Sequence, residues 1–480
     1  MPVAASTAVT PVVLDNGTGN VRCGCAGVSP LPLLLCPTVL GRPTMQAAAL
    51  LSPIAHPPAT SLSSSHLSKP SLCAPVFKGL TALRGREDMH PHRAQLLEKK
   101  ALCGDDLAAT GALGAVELTY PMRNGVIHNM DAMQEIWDYA LCERLPALAG
   151  PSGRGTARWR YEDGLAWLQD RPLQLSEPPN MSLRKRCDLL ELFFEKYGLS
   201  AIQTVQQGIL SLFANGTERG VVVECGEGLS HCTPVFDGFV LAAAQRLVDV
   251  AGRAVTERLG QVLGDQQPHR RYQRRLPTGS GRGAPSYAPW LLNDINTLRQ
   301  IKERCCYVAS RKNGLENRLT RETSALHCNW VLPDGTSCRL GPERFAAPEV
   351  LFNPQEIDHE CDGIATALWK SIEATDIDVR AALYENIIIS GGSTLLPGFG
   401  ARLQREMKSF YLTEKLNGDL ARMARCPIRV KEPQRRQHMV YMGGAILAEL
   451  SQDQPERWLL RSAYEEGGTS AIIARHHATD

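Results

Sequence analysis

Two acidic residues in this sequence each end an apolar run and lead into a Gly-any-Gly turn. Asp15 stands before Gly17-Thr18-Gly19, and Glu224 stands before Gly226-Glu227-Gly228, a little under half the chain further on. Glycines allow tight turns in which successive backbone N–H groups converge on one concavity and bind phosphate oxygens. An acid at the end of the preceding strand can reach Mg²⁺, which takes only one or two protein carboxylates. The pair therefore predicts two cradles around one metal-bound polyphosphate.

The first turn carries two further groups that could neutralise phosphate charge, the hydroxyl of Thr18 and the guanidinium of Arg22. The alternative is a plain β-hairpin, for which Asp-Asn-Gly is a strong turn signal. That alternative is favoured for one turn alone. The repetition of the pattern favours a duplicated architecture with phosphate binding.

A third glycine turn follows the apolar run 387–389 as Ser390-Gly391-Gly392, with Ser393 expected near the N-cap of a helix. Paired glycines permit close approach of a nucleotide, and a helix start favours an anion. An ordinary strand-to-helix turn fits the same residues equally well.

Composition sets the broad class of the protein. A chain of 480 residues is expected to form two large lobes. Its 43% hydrophobic and 21% charged residues are ordinary for a globular protein, and the net charge of +2 argues against nucleic-acid or membrane binding. Fifteen cysteines without a ligand-like spacing predict reduced, buried thiols. Because no secretory signal or membrane helix is found, we expect a soluble, cytoplasmic protein with no membrane insertion.

Strands and helices alternate along much of the chain, which predicts an α/β protein. Strands are expected in 12–43, and a helix capped by Asn129 or Asp131 should bury Met133, Ile136 and Trp137. Helices are also predicted over 183–198 and 202–216, the second ending at Asn-Gly. Irregular segments are predicted at 45–93 and 145–159, and around the basic residues Arg270, Arg271, Arg274, Arg275 and Arg282. A solvated loop is favoured over an anion site for this basic run.

The glycine turns together resemble the phosphate and adenosine loops of the actin, Hsp70 and hexokinase superfamily. Within it, "YPMRNGVI", "LRQIKERCCYV", "PERFAAPEVLFNP" and "IIISGGSTLLPGF" resemble actins and actin-related proteins. The resemblance covers residues 12–44 and most of 100–475. The stretches "YLTEKLNGDLARMARCPIRVKEP" and "RRQHMVYMGGAILAEL" are more selective. They resemble the actin-related subunit that partners actin-related protein 3 in the complex that nucleates branched filaments.

The resemblance implies a duplicated, ribonuclease H-like, two-lobed ATPase fold with a nucleotide cleft between the lobes. Residues 1–11 would be a disordered N-terminus. Residues 12–214 and 439–480 would form the first lobe, with 45–119 as an altered outer subdomain carrying an irregular insert. Residues 215–438 would form the second lobe, with 251–359 as its outer subdomain and a basic insert near 265–290.

The same resemblance implies a site for ATP and Mg²⁺. Asp15 and Glu224 would lie on the metal side, and Gln207 and His231 would orient the attacking water. The implied nucleotide-binding residues are Gly17, Thr18, Gly19 and Arg22, then Gly226, Glu227, Gly228 and Gly252, then Arg299, Lys302 and Glu303, and finally Gly391, Gly392, Ser393 and Leu395. For Arg299, Lys302 and Glu303 the alternative is a helix face with its own ion pairs.

Several site residues depart from the family pattern. Glu224 and Glu227 stand where the family has aspartate, and Arg22 and Gln437 stand where it has lysine. A carboxylate displaced by about 1 Å can cost about 10²-fold in rate, while binding tolerates more adjustment. The departures favour nucleotide binding, with at most slow ATP hydrolysis. Segments 45–100, 147–170 and 265–290 match nothing in the family and are either insertions or errors in the coding sequence.

The implied function is that of an ATP-binding cytoskeletal subunit of the branch-nucleating complex. Its partners would be actin-related protein 3, the small subunits, the actin filament and nucleation-promoting factors. The amphipathic helix of such a factor would dock in a groove formed by Phe213, Leu447 and Leu450, although ordinary core packing explains these residues equally well. The alternatives are a divergent filament-forming actin and a phosphotransferase of the same superfamily.

Overall fold

The computed structural model describes residues 9–43, 101–104, 106–107, 116–149, 159–179, 181–266, 295–311, 316, 319, 322–332 and 337–479. The predicted irregular segment 45–93, the arginines of the basic insert and most of the predicted N-terminal segment 1–11 lie outside these residues.

The strands are short and spread along the whole chain. In chain order they are β1 (Val12–Asn16), β2 (Asn20–Cys25), β3 (Leu34–Pro37), β4 (Leu40–Pro43), β5 (Val116–Thr119), β6 (Met122–Arg123), β7 (Val126–Ile127), β8 (Pro172–Glu177), β9 (Ala201–Gln206), β10 (Gly220–Cys225), β11 (Ser230–Phe236), β12 (Phe239–Val240), β13 (Arg246–Val248), β14 (Cys328–Val331), β15 (Ser337–Leu340), β16 (Ile387–Ser390), β17 (Val430–Lys431) and β18 (Leu459–Leu460).

Helices fill most of the remaining described chain. The α-helices are α1 (Met130–Trp137), α2 (Leu145–Ala149), α3 (Tyr161–Leu168), α4 (Leu183–Glu195), α5 (Gln207–Phe213), α6 (Gly252–Gln266), α7 (Ile295–Cys305), α8 (Glu343–Ala346), α9 (Ile364–Glu373), α10 (Ile377–Glu385), α11 (Phe399–Phe410), α12 (Met439–Leu450), α13 (Arg461–Gly467) and α14 (Thr469–Thr479). Wider π-helical turns run over Asp138–Arg144 and Tyr411–Lys415, and tight 3₁₀ turns include Gly392–Leu395 and Arg436–His438. Of the helices described, none combines the length and apolar character that a bilayer crossing needs.

Two sheets with the same local plan organise the fold. The first has the order β18-β9-β8-β1-β2-β3, and the second has β12-β11-β10-β16-β17, with β13 beside β11. In the first, β1 pairs antiparallel with β2 and parallel with β8. In the second, β10 pairs antiparallel with β11 and parallel with β16. The predicted α/β class is confirmed, and the repeated hairpin-plus-parallel-strand unit is what duplication of one half would produce.

The central strands are covered on both faces. Val221, Val222 and Val223 of β10 are fully buried, and Val12 and Leu14 of β1 are equally inaccessible. A strand that alternates faces can be apolar throughout only if helices cover both sides of its sheet. The buried central strands β1 and β10 therefore hold Asp15 and Glu224, near their carboxyl ends, at fixed positions.

The predicted helix near residue 130 is confirmed. The Asn129 side chain accepts from the Ala132 backbone N–H (3.0 Å), so Asn129 is the cap. The helix buries Met133, Ile136 and Trp137 as expected. The Trp137 ring lies 5.1 Å from that of Phe193 on α4. This contact packs α1 and α4 together in the core of the first sheet.

The prediction of one helix over 202–216 was wrong in its first half. Residues Ala201–Gln206 form β9, which runs parallel to β8 along its whole length, and only then does α5 begin. The β-branched residues Ile202, Thr204 and Val205 suit a strand, and the neighbouring strand supplies the hydrogen bonds. The predicted stop holds, because Gly216 adopts φ 65° just after α5.

The irregular segment predicted over 145–159 is helical at its start. Residues Leu145–Ala149 form α2, and beyond the undescribed part of the chain α3 covers Tyr161–Leu168. A Cβ on Gly164 would lie 1.6 Å from the Cys142 carbonyl oxygen, so α3 crosses the preceding π-helical turn at a point where only glycine fits. Close packing of this kind stabilises α2 and α3. Helices this short show too few turns for a periodic hydrophobic pattern, so the sequence did not predict them.

Candidate functional site

The two glycine turns come from different sheets and meet face to face. A Cβ on Gly19 would lie 2.9 Å from the Glu227 Cβ, and a Cβ on Gly228 would lie 2.7 Å from Thr18 Cγ2. Such distances leave no space for a side chain at either glycine. The hairpins predicted to face one another therefore do so, in direct contact.

A cavity of about 460 Å³ opens beside this contact. That volume lies in the range of small-molecule sites. The predicted site residues that line it are Asp15, Gly17, Thr18, Gly19, Arg22, Gln207, Glu224, Gly226, Glu227, Gly228, His231, Arg299, Lys302, Glu303, Gly391, Gly392, Ser393 and Leu395. Residues far apart in the chain are thus brought to one cleft.

Asp15 is held firmly at the bottom of the cleft. It is 3% exposed, and its Oδ2 accepts from Arg22 Nη1 (2.9 Å) across the β1–β2 ladder. Its Oδ1 accepts from the Ser176 hydroxyl (2.7 Å) at the end of β8. These bonds fix the carboxylate and hold Arg22 beside the Gly17-Thr18-Gly19 turn.

Glu224 occupies the equivalent place on β10, opposite His231 in the ladder. Burial raises the pKa of Glu224 to about 8, the negative charge of Asp15 adds to the rise, and Arg22 opposes it. Its Oε2 is buried and makes no hydrogen bond. A carboxylate of this kind is stabilised by a cation.

This acid pair fits a magnesium ion. Among the described residues no cluster of three or more His, Cys, Asp or Glu side chains could hold a metal. Magnesium needs no such cluster, since it keeps several waters and binds one or two carboxylates together with phosphate oxygens. The orphaned Oε2 of Glu224 and the nearby Asp15 supply what that coordination requires.

His231 and Gln207 both line the cavity. His231 is 2% exposed, and burial lowers its pKa to about 4, so its imidazole is neutral near pH 7. Its Nδ1 hydrogen-bonds with the Thr233 hydroxyl (3.0 Å), while its Nε2 has no hydrogen-bond partner and lies 3.7 Å from Glu224 Oε2. Gln207 is the first residue of α5. Both side chains are placed to contact a ligand or a water in the cleft.

The basic residues of α7 reach across to the second hairpin. Lys302 Nζ donates to Glu227 Oε2 (3.2 Å), and Arg299 Nη2 lies 3.7 Å from Glu227 Oε1. Lys302 also donates to the Gly252 carbonyl (2.9 Å). Because Lys302 and Arg299 hold its carboxylate, Glu227 forms a fixed part of the cavity lining, called here the wall of the site.

Gly252 is the exception among the predicted site residues, because it stands behind the wall and does not line the cavity. Its N–H donates to the Gly226 carbonyl (3.0 Å), and a Cβ there would lie 2.4 Å from Ser393 Oγ. Glycine is needed at this position so that α6 can start against the hairpin. Its role is structural support of Gly226 and Glu227.

The third glycine turn has a different role for Ser393 from the one predicted. The element after β16 is the 3₁₀ turn Gly392–Leu395, which begins after Gly391 at φ 92°. The Ser393 hydroxyl caps nothing; it donates to the Gly226 carbonyl (2.6 Å) and fastens this turn to the second hairpin. A Cβ on Gly392 would meet nothing within 4 Å. This part of the backbone therefore faces open space in the cleft.

Several buried polar atoms of the cleft have no hydrogen-bond partner in the described chain. They belong to the side chains of Arg22, Glu224, Glu227, His231, Arg299 and His438, all of which line the cavity. Buried polar groups without partners are costly and rare in native proteins. Their concentration here indicates a polar, charged ligand that supplies the partners.

Sequence reasoning missed three contributors to the site. Ser176 positions Asp15, and His438 lines the cavity next to Gln437. The turn Asn124-Gly125, with φ 47° and 76°, sends the Gly125 N–H to the Thr18 hydroxyl (3.0 Å). Asn-Gly predicts a tight turn, but only the fold shows that it reaches the cleft.

The residues of the predicted docking groove differ in exposure. Leu450 at the end of α12 is 62% exposed and Ile446, one turn earlier, is 39% exposed. Leu447 is only 4% exposed and packs with Leu210 and Val440, with Phe213 partly buried beside them. Leu447 thus packs in the core, which is one of the two explanations given above for it, and Leu450 is the exposed residue of the predicted groove.

Comparison with known proteins agrees with this architecture. The family model described as Actin matches residues 6–477. Actin-related protein 2 of Saccharomyces cerevisiae (strain ATCC 204508 / S288c) is 33% identical over 462 residues, which are 96% of this chain and 97% of that protein. Actin-related protein 2 of Drosophila melanogaster and that of Acanthamoeba castellanii are each 33% identical over 461 residues. These alignments cover 96% of this chain, and 96% and 97% of the two relatives respectively.

The family match covers both sheets, both glycine hairpins and the third turn, so the predicted resemblance and the two-lobed fold that it implies are confirmed. The chain belongs to the actin family and is similar over nearly its whole length to actin-related protein 2.

Proposed function

We propose that the cleft binds Mg²⁺-ATP between the two hairpins. The observation that supports this most directly is the contact between the hairpins beside a cavity whose buried polar atoms lack partners. Glycine turns can present backbone N–H groups to phosphate oxygens, and the guanidinium of Arg22, which lines the cavity beside the first turn, suits the same oxygens. Asp15 and Glu224 would hold the magnesium ion, which neutralises phosphate charge when bound.

The third turn and α7 would form the adenosine side. Gly392 faces open space, so a base or ribose can approach the backbone there. Arg299 and Glu303 of α7 also line the cavity. In this proposal Lys302 acts indirectly, because its ammonium is occupied by Glu227 and the Gly252 carbonyl.

ATP would act mainly as a structural ligand that joins the lobes. Gln207 and the neutral His231 could orient a water, but Glu224 and Glu227 are each one methylene longer than the family residue. A small displacement of a carboxylate reduces rate more than affinity. We therefore propose tight nucleotide binding with slow hydrolysis at most.

The proposed cellular role is that of an actin-related protein 2-like subunit of the complex that nucleates branched actin filaments. Its partners would be actin-related protein 3, the small subunits, the filament and nucleation-promoting factors, in the cytoplasm and cytoskeleton. The 33% identity to three actin-related protein 2 chains, over 96% of this chain, supports this role. Leu450 and Ile446 offer exposed apolar side chains one helical turn apart, which suits an amphipathic helix. The lobe and subdomain boundaries given above remain part of this proposal.

Nucleotide binding is tested by titrating the purified chain with a fluorescent ATP analogue, with magnesium and with EDTA. Saturable binding that weakens in EDTA is expected, and no binding in either buffer would contradict the proposal. ATP turnover that depends on a small acceptor would instead favour a phosphotransferase.

The subunit role needs a separate experiment. Affinity purification of the tagged chain from its source organism should recover actin-related protein 3 and the small subunits. A pelleting assay of the chain alone provides the contrast, because robust self-polymerisation would favour a filament-forming actin.

A further inference from the structure

Two cysteine thiols from different elements are in contact in the second half of the chain. Cys305 is the last residue of α7, and Cys328 is the first residue of β14. Their sulfur atoms lie 3.9 Å apart, and the Cys328 thiol is also within hydrogen-bonding distance of the Asn329 carbonyl (3.7 Å). Cys305 is buried, at 4% exposure, whereas Cys328 is partly exposed. A reagent in solution can therefore reach Cys328, and the buried Cys305 thiol lies in contact with it.

The backbone on both sides of this contact is fixed by neighbouring groups. Arg344 donates from Nε to the Cys305 carbonyl (2.7 Å) and from Nη1 to the Leu326 carbonyl. The Arg304 guanidinium lies 5.6 Å from the centre of the Trp330 ring, which joins α7 to β14 a second time. The β14–β15 ladder pairs Cys328 with Leu340. These contacts hold the end of α7 and the start of β14 beside each other, so the two sulfurs start from contact distance.

We propose that Cys305 and Cys328 form an intramolecular disulfide by thiol–disulfide exchange with an oxidised low-molecular-weight disulfide such as glutathione disulfide. The Cys328 thiolate attacks one sulfur of glutathione disulfide, forms a mixed disulfide and releases one glutathione thiolate. The Cys305 thiolate then attacks Cys328 Sγ, forms the protein disulfide and releases the second glutathione. Two protein thiols are oxidised and one glutathione disulfide is reduced; the two protons lost by Cys328 and Cys305 end on the two released glutathione thiolates, which leave as thiols.

The order of the two steps follows from access. Cys328 reacts first because it is the more exposed thiol. Burial raises the pKa of the Cys305 thiol above its ordinary value, and Cys328 adds to the rise while Arg344 opposes it. Little Cys305 thiolate exists near neutral pH, so the second step is the slower one. Because Cys305 lies beside Cys328, its effective concentration is high, and attack by Cys305 is favoured over attack by an external thiol.

The disulfide would tie the end of α7 to the β14–β15 hairpin. Arg299 and Lys302, which hold Glu227 at the cleft, lie on the same helix within its last two turns. The oxidised form would therefore fix the helix that supports one wall of the cavity. The chemistry of the thiol pair does not depend on the identity of the cleft ligand, so the inference stands apart from the proposed function.

The test is oxidation of the folded full-length chain with glutathione disulfide, followed by alkylation, digestion and mass spectrometry. We expect a peptide pair joined through Cys305 and Cys328. Cys305 and Cys306 share one tryptic peptide, and Cys328 and Cys338 share another; a second digestion at Asp334 separates Cys328 from Cys338, and the Cys306→Ser variant distinguishes Cys305 from Cys306. Cys328→Ser should abolish it. Cys338→Ser and Cys306→Ser should retain it, since these thiols are buried and not in the proposed pair.

Three outcomes would overturn the inference. They are a stable mixed disulfide on Cys328 without closure, a link of Cys305 to Cys306 or Cys338 in the folded chain, and no reaction at Cys328. Far-UV circular dichroism and a melting curve show that each variant is folded. If a variant at a buried cysteine fails to fold, the disulfide found in the wild-type chain still tests the inference. Repeating the oxidation in urea should give a different link map, because the pairing depends on the native contact.

Discussion

Thr18 of the first hairpin lies so close to Gly228 of the second that a Cβ on Gly228 would be 2.7 Å from Thr18 Cγ2. The two turns come from separate sheets, so this contact joins the halves of the molecule at the mouth of the cavity. The backbone of Asn124, in a third loop, approaches the same position at 3.0 Å. Any atom added at Gly228 must push these loops apart.

Gly228→Ala should therefore separate the hairpins and weaken Mg²⁺-ATP binding about tenfold, or about 1.4 kcal/mol. Equilibrium titration with a fluorescent ATP analogue measures the effect. Gly264→Ala, on α6 with nothing within 4 Å of the added atom, is the matched control and should bind as wild type. Unchanged affinity in Gly228→Ala would show that hairpin contact is unnecessary for binding.

Gly392→Val should block nucleotide without harming the fold. A Cβ at this position meets no protein atom within 4 Å and projects into open space in the cleft. The larger side chain would occupy space needed by the nucleoside, and we expect at least about a tenfold loss of affinity. The melting temperature should stay within a few degrees of wild type. Wild-type nucleotide affinity in a folded Gly392→Val variant would show that the nucleoside does not bind beside Gly391 and Gly392.

Asp15→Asn should remove most of the magnesium dependence of ATP binding. The amide keeps the shape of the carboxylate but loses its charge, and the bonds to Arg22 and Ser176 weaken. A loss of about 10²-fold corresponds to about 2.7 kcal/mol, a size typical of interactions with charged groups. Isothermal titration with and without magnesium provides the measurement. Equal magnesium dependence in variant and wild type would remove Asp15 from the metal side.

Glu224→Asp should preserve nucleotide affinity and raise any hydrolysis rate, by up to about 10²-fold, because the shorter side chain restores the family distance. Single-turnover hydrolysis of radiolabelled ATP measures this rate. Glu227→Asp gives a useful contrast, since Glu227 is anchored by Lys302 and Arg299. A slower reaction in Glu224→Asp would indicate that the glutamate is adapted to this site.

Arg186→Ala should destabilise the fold around the first sheet by about 3–5 kcal/mol, because it removes the cation that is paired with a buried carboxylate. Arg186 donates to both oxygens of Glu177 (2.9 and 2.6 Å), and Glu177 is 2% exposed. Denaturant unfolding followed by circular dichroism gives the free energy. Lys370→Ala breaks the exposed pair with Asp362 and should cost no more than about 1 kcal/mol. Similar decreases in the free energy of unfolding in the two variants would show that burial does not make the Arg186–Glu177 pair more important for stability.

Local sequence was enough to predict the parts of the cleft whose signal is short-range. An apolar run that ends in an acid and two glycines specifies a strand and a turn with few alternatives, and β1–β2 and β10–β11 follow it. The α1 cap at Asn129 was predictable for the same reason. The glutamates and Arg22 were also visible as departures before any geometry was known.

Other features depended on contacts between distant residues. Ile202 to Gln206 carried a helix-compatible pattern, yet β8 offered a full ladder and made them a strand. Ser393 looked like a cap, but the carbonyl of Gly226 was the acceptor within reach. Leu447 matched a groove position, and the rotation of α12 buried it.

The sequence by itself determined the residue types, the turns and the duplication, because these arise from neighbours along the chain. The tertiary structure decided the distance between Thr18 and Gly228, the pairing of Glu227 with α7 and the meeting of Cys305 with Cys328. Each of these joins elements that no local rule relates, since close packing of two sheets and their helices sets every separation at once.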